Sequence, residues 1–196
     1  MKKTASGILV LIAVGLNMAA WLALKNPQIS RENGPMENFQ LICLFLAFLT
    51  WLWAGSRSKD KAAKIFLIAL ALFNLSFFIL EIDTRKFDMP TVNKFIRGKY
   101  RNGALACLWL GAAIAFFKNK RSCWAEFLAW LKTPSAICMI ISGVFWITSG
   151  LNDKHILFRK DLYFEEFMEV NATLLMLLAA ILFLSDKKVS ATKPAS

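Results

Sequence analysis

The side chains of this chain that are best suited to chemistry lie in three short polar segments. The segments span residues 31–37, 81–86 and 152–169, and they hold carboxylates, arginines and the only histidine. Carboxylates bind divalent cations through hard oxygen ligands, pair with cationic groups, and act as general acids or bases. These residues therefore predict a site that binds or acts on a cation, a lipid headgroup or another small ligand.

Three glutamates in the last segment are spaced to share one side of a helix. Glu165 and Glu169 are four residues apart, and Glu166 and Glu169 are three apart. Like charges on one stripe repel, so a divalent cation or a basic residue such as Arg31 or Arg85 is needed to offset them. Glu169 lies about 6 Å beyond Glu165 along the helix axis. It is a candidate catalytic residue or a buried structural one.

Glu81 and Asp83 follow a run of aromatic and aliphatic residues. A carboxylate left bare in hydrocarbon costs several kcal/mol, and a helix C-terminus disfavours negative charge further. Two interpretations stay open. Both residues are candidate catalytic groups that act as ligands or as a general base, or else Glu81 forms an interfacial ion pair with Arg85, four residues on.

His155 follows Asp153 by two residues and is either a ligand, an acid–base group or an ordinary loop residue. One imidazole cannot supply the paired axial ligands of a membrane b-type haem, so no haem is expected. A divalent cation remains open, without assigned metal ligands. The other candidate ligand-binding residues are Arg31, Glu32, Glu37, Arg85, Asp153, Glu165 and Glu166.

These segments are separated by apolar runs whose length and composition are typical of helices that cross a bilayer. The chain has 196 residues, 57% of them hydrophobic, and a mean hydropathy of +0.50. Each membrane-spanning helix needs about 20 mostly apolar residues. The sequence predicts an all-α, polytopic helical bundle forming one integral membrane domain over residues 1–196. Its six spans are Gly7–Leu24, Glu37–Ala54, Ile65–Ile82, Tyr100–Phe117, Pro134–Leu151 and Glu165–Leu184.

Smaller features refine this architecture. Residues 90–97 and 122–132 are amphipathic, which is typical of helices in the membrane interface or of plain connectors. The even-numbered spans align weakly with one another, which would divide the chain into three helical hairpins, although apolar composition alone produces such alignments. The four cysteines form no CxxC pair, and three lie in apolar runs, so we expect buried thiols and no disulfide framework.

Charge predicts the topology. The net charge of +11 would suggest nucleic acid in a soluble protein, but here the basic residues flank apolar runs, so no nucleic-acid partner is expected. The basic start, Met1-Lys2-Lys3, and the basic tail place both termini in the cytoplasm of a multi-pass protein of the bacterial inner membrane. Ten of the 13 acidic residues then fall in or beside the extracytoplasmic loops.

Three motifs resemble those of a family of small, uncharacterised bacterial six-helix membrane proteins. Arg31 to Glu37 resembles its "RE-D/N-G-x-x-E" segment, Glu81-Ile82-Asp83 its "E-x-D" segment, and Glu165 to Glu169 its "EE-x-x-E" segment. Leu80 stands where the family has an arginine. The resemblance implies a shared site at the outer face of the membrane, but it does not indicate a reaction.

Two function classes follow. The first is a membrane enzyme or binding protein with a carboxylate-rich extracytoplasmic site for a lipid headgroup, cation or small ligand. The second is a non-catalytic accessory or scaffold subunit whose charges form salt-bridged helix caps. The expected partners are membrane lipids, or a membrane protein in the second case. For the first class we expect the side chains of five carboxylates to point into one shared polar pocket. These are Glu37, Glu81, Asp83, Asp153 and Glu169.

Overall fold

The structure of the protein is a computed structural model that describes residues 2–24, 29, 34–82, 98–154 and 162–191, with the backbone alone at 2–6, 98, 153 and 187–191. Within these ranges the chain forms seven α-helices: α1 (Lys2–Ala23), α2 (Pro35–Arg57), α3 (Lys61–Glu81), α4 (Gly98–Lys118), α5 (Lys120–Leu131), α6 (Pro134–Asp153) and α7 (Leu162–Ala191). The predicted all-α class is confirmed.

Five of these helices are long and apolar enough to cross a membrane. Their spanning parts are Pro35–Arg57, Lys61–Glu81, Lys99–Lys118, Pro134–Asn152 and Leu162–Asp186. The apolar part of α1, Gly7–Ala23, is shorter. At 1.5 Å per residue it measures about 25 Å, less than the ~30 Å of a hydrocarbon core. The chain is thus a multi-pass membrane helical bundle, and a sixth crossing by α1 stays a prediction.

Local chemistry explains where several helices begin. Thr133 caps α6, its Oγ1 accepting from the amide of Ala136, and Pro134 occupies the first turn as its sequence position predicts. The carboxylate of Asp60 accepts from the amide of Ala63 at 2.7 Å and caps α3. Each cap satisfies one of the amide groups that a helix start leaves without an intrahelical partner.

The helices differ in extent from the predicted elements, most of all at the end of α7. The amphipathic segment 122–132 is helical as α5, which begins at Lys120, whereas the segment 90–97 lies outside the described residues. Helix α7 continues to Ala191, past the predicted end at Leu184, because a helix need not stop where the hydrocarbon does. All four cysteines are free, and Cys107 is exposed instead of buried as expected.

The chain divides into two compact units, residues 1–47 with 130–196 (unit 1) and residues 48–129 (unit 2). In unit 2, α3 packs against α4. In unit 1, α6 packs along α7, and α1 packs on both. The buried alanines Ala172, Ala179 and Ala180 let neighbouring helices approach α7 closely. Helix α7 is the central element of unit 1, with 56% of its spanning window buried.

Candidate ligand-binding site

Polar contacts join three other helices to the first turns of α7 in unit 1. Hydrogen bonds reach it from Asn17 of α1, Gln40 of α2 and Ser149 of α6. The last turns of α1 and α6 and the first turns of α2 and α7 therefore meet at one end of the unit. We call this group of side chains the polar cluster: Asn17, Glu37, Gln40, Ser149, Asn152, Glu166, Glu169 and Asn171.

Gln40 is the most constrained member of the polar cluster. Its side chain is fully buried, and its Nε2 donates to Glu166 Oε2 at 2.8 Å. Only the amide nitrogen can donate to a carboxylate, so this contact fixes which way the amide group faces. Its Oε1 is buried and accepts no hydrogen bond from any residue that the structure describes. Glu37, one turn earlier on the same helix, is only 9% exposed.

A hydrogen bond from α6 holds the carboxylate of Glu169. The hydroxyl of Ser149, which is fully buried, donates to Glu169 Oε1 at 2.7 Å. A hydrogen bond to an ionised acceptor is stronger than one between neutral groups, so this contact orients the carboxylate. Asn152 follows Ser149 by three residues and is also fully buried. The last two turns of α6 therefore present amide and hydroxyl groups beside the carboxylates of α7.

A chain of amides underlies the carboxylates. Asn17 Nδ2 donates to Asn171 Oδ1 at 2.9 Å, and Asn171 Nδ2 donates to the carbonyl of Phe167 at 2.7 Å. The indole of Trp21 donates to Asn17 Oδ1 at 3.1 Å, and the Tyr163 hydroxyl donates to the carbonyl of Trp21. These bonds fix α1 to α7 and give the polar cluster a rigid base.

Comparisons with protein-family models, curated proteins and solved structures found no match to this chain. The resemblance to six-helix bacterial membrane proteins therefore remains a prediction, which rests on the three sequence motifs.

The structure places the candidate residues in different parts of the chain. Glu37, Glu166 and Glu169 belong to the polar cluster, Glu165 lies in the first turn of α7, and Asp153 is the last residue of α6. Glu81 ends α3 in unit 2, so its convergence with Glu169 stays a prediction. The candidates outside the described residues are Arg31, Glu32, Asp83, Arg85 and His155.

Sequence reasoning identified neither Gln40 nor Ser149 as a site residue. The available signal was a buried stripe in α2, in which Met36, Gln40, Leu44 and Ala47 recur at spacings of three and four. A glutamine on such a stripe has to find a partner inside the protein. That partner, Glu166, is 126 positions away in the sequence, so only the packing of α2 on α7 reveals it.

Over the described ranges, no three histidine, cysteine, aspartate or glutamate residues are grouped closely enough to hold an ion. Within the polar cluster, Glu166 accepts a hydrogen bond from Gln40, and Glu169 accepts one from Ser149. This arrangement suits a ligand that donates hydrogen bonds, since ionised carboxylates and the oxygen of an amide accept and cannot donate.

Proposed function

We propose that the polar cluster binds a ligand through a hydrogen-bond-donating cationic group, such as the ammonium of a lipid headgroup or of a small free amine. The single observation that carries this proposal is Gln40 Oε1, a buried acceptor that the described protein groups leave without a donor. Leaving such a group unsatisfied costs about 1–3 kcal/mol. Because Nε2 is engaged by Glu166, the side chain cannot turn to relieve that cost.

We propose a cationic ligand because carboxylates lie beside Gln40. Glu166 touches its amide, and Glu37 lies one turn away on α2. An ammonium group carries three donors and no acceptor, so it can donate to Gln40 Oε1 and to a carboxylate oxygen at once. A single hydroxyl group has one hydrogen to donate, so it can satisfy Gln40 Oε1 or a carboxylate but not both. The cluster is therefore better matched to an ammonium group than to a simple alcohol.

We also propose that this end of unit 1 faces the extracytoplasmic side of a bacterial inner membrane, with both termini in the cytoplasm. The support is the charge pattern: basic residues at both ends of the chain, and ten of 13 acidic residues on the other side. In this orientation the ligand reaches the polar cluster from the outer leaflet or from the extracytoplasmic solution. Membrane lipids are then the most abundant partners within reach.

An accessory role beside a membrane-protein partner is the second candidate function. The observation that favours it is α4, whose spanning window has no buried residue in this structure. Helices that span as part of a stable bundle usually bury one face. Crosslinking of the protein in intact membranes, followed by recovery of a stoichiometric partner, would support this second function, whereas α4 crosslinking only to lipid would count against it.

The binding proposal is tested with Gln40→Met, which keeps the length of the side chain and removes both polar groups. The purified full-length protein is titrated with ethanolamine as the free amine, and with phosphatidylethanolamine in detergent as the lipid, by native mass spectrometry. We expect the variant to lose at least about tenfold in affinity, the equivalent of one strong hydrogen bond. Binding of ethanolamine alone would identify a free amine as the ligand, and stronger binding of the lipid would identify a headgroup.

Asn74→Leu provides the matched control. Asn74 is a fully buried amide in unit 2 whose Oδ1 also accepts no hydrogen bond from any described residue. Its replacement therefore tests the general effect of removing a buried amide. Equal binding by the wild-type protein and Gln40→Met, or equal losses in both variants, would contradict the proposed site.

A further inference from the structure

We infer that one end of unit 2 binds the phosphate groups of anionic membrane lipids. Two basic segments form this end, residues 57–64 with four lysine or arginine residues and residues 118–121 with three. We call the two segments together the basic end. The inference goes beyond the proposed function, because it concerns the other compact unit and a ligand of opposite charge to an amine.

Helix packing brings the two basic segments together. Only Asn119 separates α5 from the end of α4, and α5 packs on the first turns of α3. The Cys123 thiol of α5 lies 4.0 Å from the carbonyl oxygen of Ala62. One turn further along both helices, the rings of Phe127 and Phe66 have centroids 6.2 Å apart. The end of α4, the start of α5 and the start of α3 therefore lie side by side.

The end of α2 belongs to the same surface. A Cβ atom built on Gly55 would lie 3.3 Å from the side chain of Ile68, so the last turns of α2 pack closely on α3. The guanidinium of Arg57 lies 5.0 Å from the centre of the Trp53 ring in a cation–π contact, and Trp53 is 44% exposed. Tryptophan is enriched at the headgroup level of membrane proteins. This contact therefore favours a position of Arg57 at the level of the lipid phosphates.

The basic end carries a large excess of exposed positive charge. All seven of its basic side chains are exposed. The acidic residues beside them are Asp60, in the first segment, and Glu126, on α5. Asp60 already accepts a hydrogen bond from the amide of Ala63 as the cap of α3. Phosphate oxygens suit such a surface, because lysine and arginine donate strong, charge-assisted hydrogen bonds to them.

The exposed side of α5 indicates that the anion belongs to a lipid. The helix has 12 residues and a length of about 18 Å, so it cannot cross the membrane. Cys123 and Trp130 are buried, whereas Trp124 and Leu128 are 54% and 43% exposed. Arg121 precedes the two exposed residues at spacings that place all three on one side of the helix. An exposed apolar strip beside a basic residue is typical of a helix whose side chains enter the boundary between headgroups and acyl chains.

An anionic phospholipid such as phosphatidylglycerol matches both parts of this surface. Its phosphate carries the negative charge that the seven basic residues attract, and its acyl chains accommodate Trp124 and Leu128. Basic clusters of about four to eight residues next to a spanning helix bind anionic lipids in this way. A soluble polyanion such as nucleic acid offers charge alone and leaves the apolar strip in water. In the topology proposed above, the basic end faces the cytoplasmic leaflet.

Removal of charge from the second basic segment tests the inference. In the double variant Lys118→Gln with Arg121→Gln, two exposed side chains lose their charge and stay polar. The matched control is Lys99→Gln with Arg101→Gln, which removes one lysine and one arginine from the other end of α4, roughly 25 Å from Lys118. None of these four side chains is buried, so both proteins should fold with the melting temperature of the wild type.

The experiment measures binding of three probes to the full-length protein in detergent by native mass spectrometry. They are dipalmitoyl phosphatidylglycerol, dipalmitoyl phosphatidylcholine with the same chains and no net charge, and glycerol 3-phosphate with no chains. We expect the wild type to prefer phosphatidylglycerol, and the Lys118→Gln/Arg121→Gln variant to lose about tenfold or more in affinity for it, because each basic residue attracts the anionic lipid. The control should keep the wild-type affinity. A second variant, Lys61→Gln with Lys64→Gln on α3, should lose as much as the first.

The remaining outcomes would overturn the inference. Equal losses in the first variant and its control would show that positive charge acts equally at both ends of α4. Unchanged phosphatidylglycerol affinity in the first variant, or equal affinity of the wild type for the two lipids, would show that the basic end does not select an anionic headgroup. Glycerol 3-phosphate binding as tight as phosphatidylglycerol binding would show a site for a soluble phosphate instead of a lipid. None of these results bears on the polar cluster, which belongs to unit 1.

Discussion

Glu169 accepts a hydrogen bond from a buried hydroxyl in the second turn of α7, whereas Glu165 lies in the first turn, where free amide groups stabilise a carboxylate. The sequence predicted that Glu169 is the deeper of the two, because helix rise alone determines that order. It could not predict Ser149 as the donor, since that pairing depends on how α6 packs against α7. The same limit applies to Gln40 and Glu166.

Removing the charge of Glu169 should therefore lower ligand affinity more than removing the charge of Glu165. Glu169→Gln keeps the shape of the side chain, and we expect it to lower affinity for phosphatidylethanolamine about tenfold while the protein still folds, because a charged acceptor is lost from the polar cluster. Glu165→Gln should change affinity much less. Binding and melting temperature are measured for both variants. Equal and negligible effects would rule out a special role for Glu169.

The helices are the elements most readily predicted from this sequence, because apolar runs and cap residues are local signals. Thr133-Pro134 and Gly34-Pro35 predict the starts of α6 and α2, and both helices begin there. The ends are less predictable, since α2 continues to Arg57 and α7 to Ala191, past the predicted ends at Ala54 and Leu184. The short α5 is recognisable from its amphipathic pattern, but its burial of Cys123 and Trp130 depends on packing with other helices.

Cap chemistry gives a prediction at the level of a single helix. Asp60→Ala removes the acceptor for the Ala63 amide and should reduce the free energy of unfolding by about 1 kcal/mol, the usual worth of an N-cap. Asp60→Asn keeps an acceptor oxygen and should retain most of the stability. Thermal or denaturant unfolding in detergent measures both variants. Identical stabilities for Asp60→Ala and Asp60→Asn would show that the cap does not stabilise α3.

At the scale of the whole molecule, the polar cluster belongs to unit 1, which is assembled from the two ends of the chain. Unit 1 cannot form until α1 and the start of α2 meet α6 and α7. The 82 residues of unit 2 are inserted between these partners in sequence. Hydropathy predicts each span by itself, but it does not indicate that the first and last helices share a polar network.

The number of crossings decides the topology. Five helices meet the length and hydropathy of a span, so the side of the N-terminus depends on α1. We expect α1 to cross, because the inner leaflet attracts Lys2 and Lys3 and the bilayer can thin slightly around a short helix. Reporter fusions to each terminus should both report the cytoplasm. An N-terminus and C-terminus on opposite sides would mean that α1 does not cross.

The most direct test of the account is an experimental structure of the full-length protein in nanodiscs of phosphatidylethanolamine. We predict density for an amine, from the lipid headgroup, about 3 Å from Gln40 Oε1, a normal hydrogen-bond distance. Density for bound lipid elsewhere, with Gln40 Oε1 accepting from a protein side chain, would contradict the proposed ligand site.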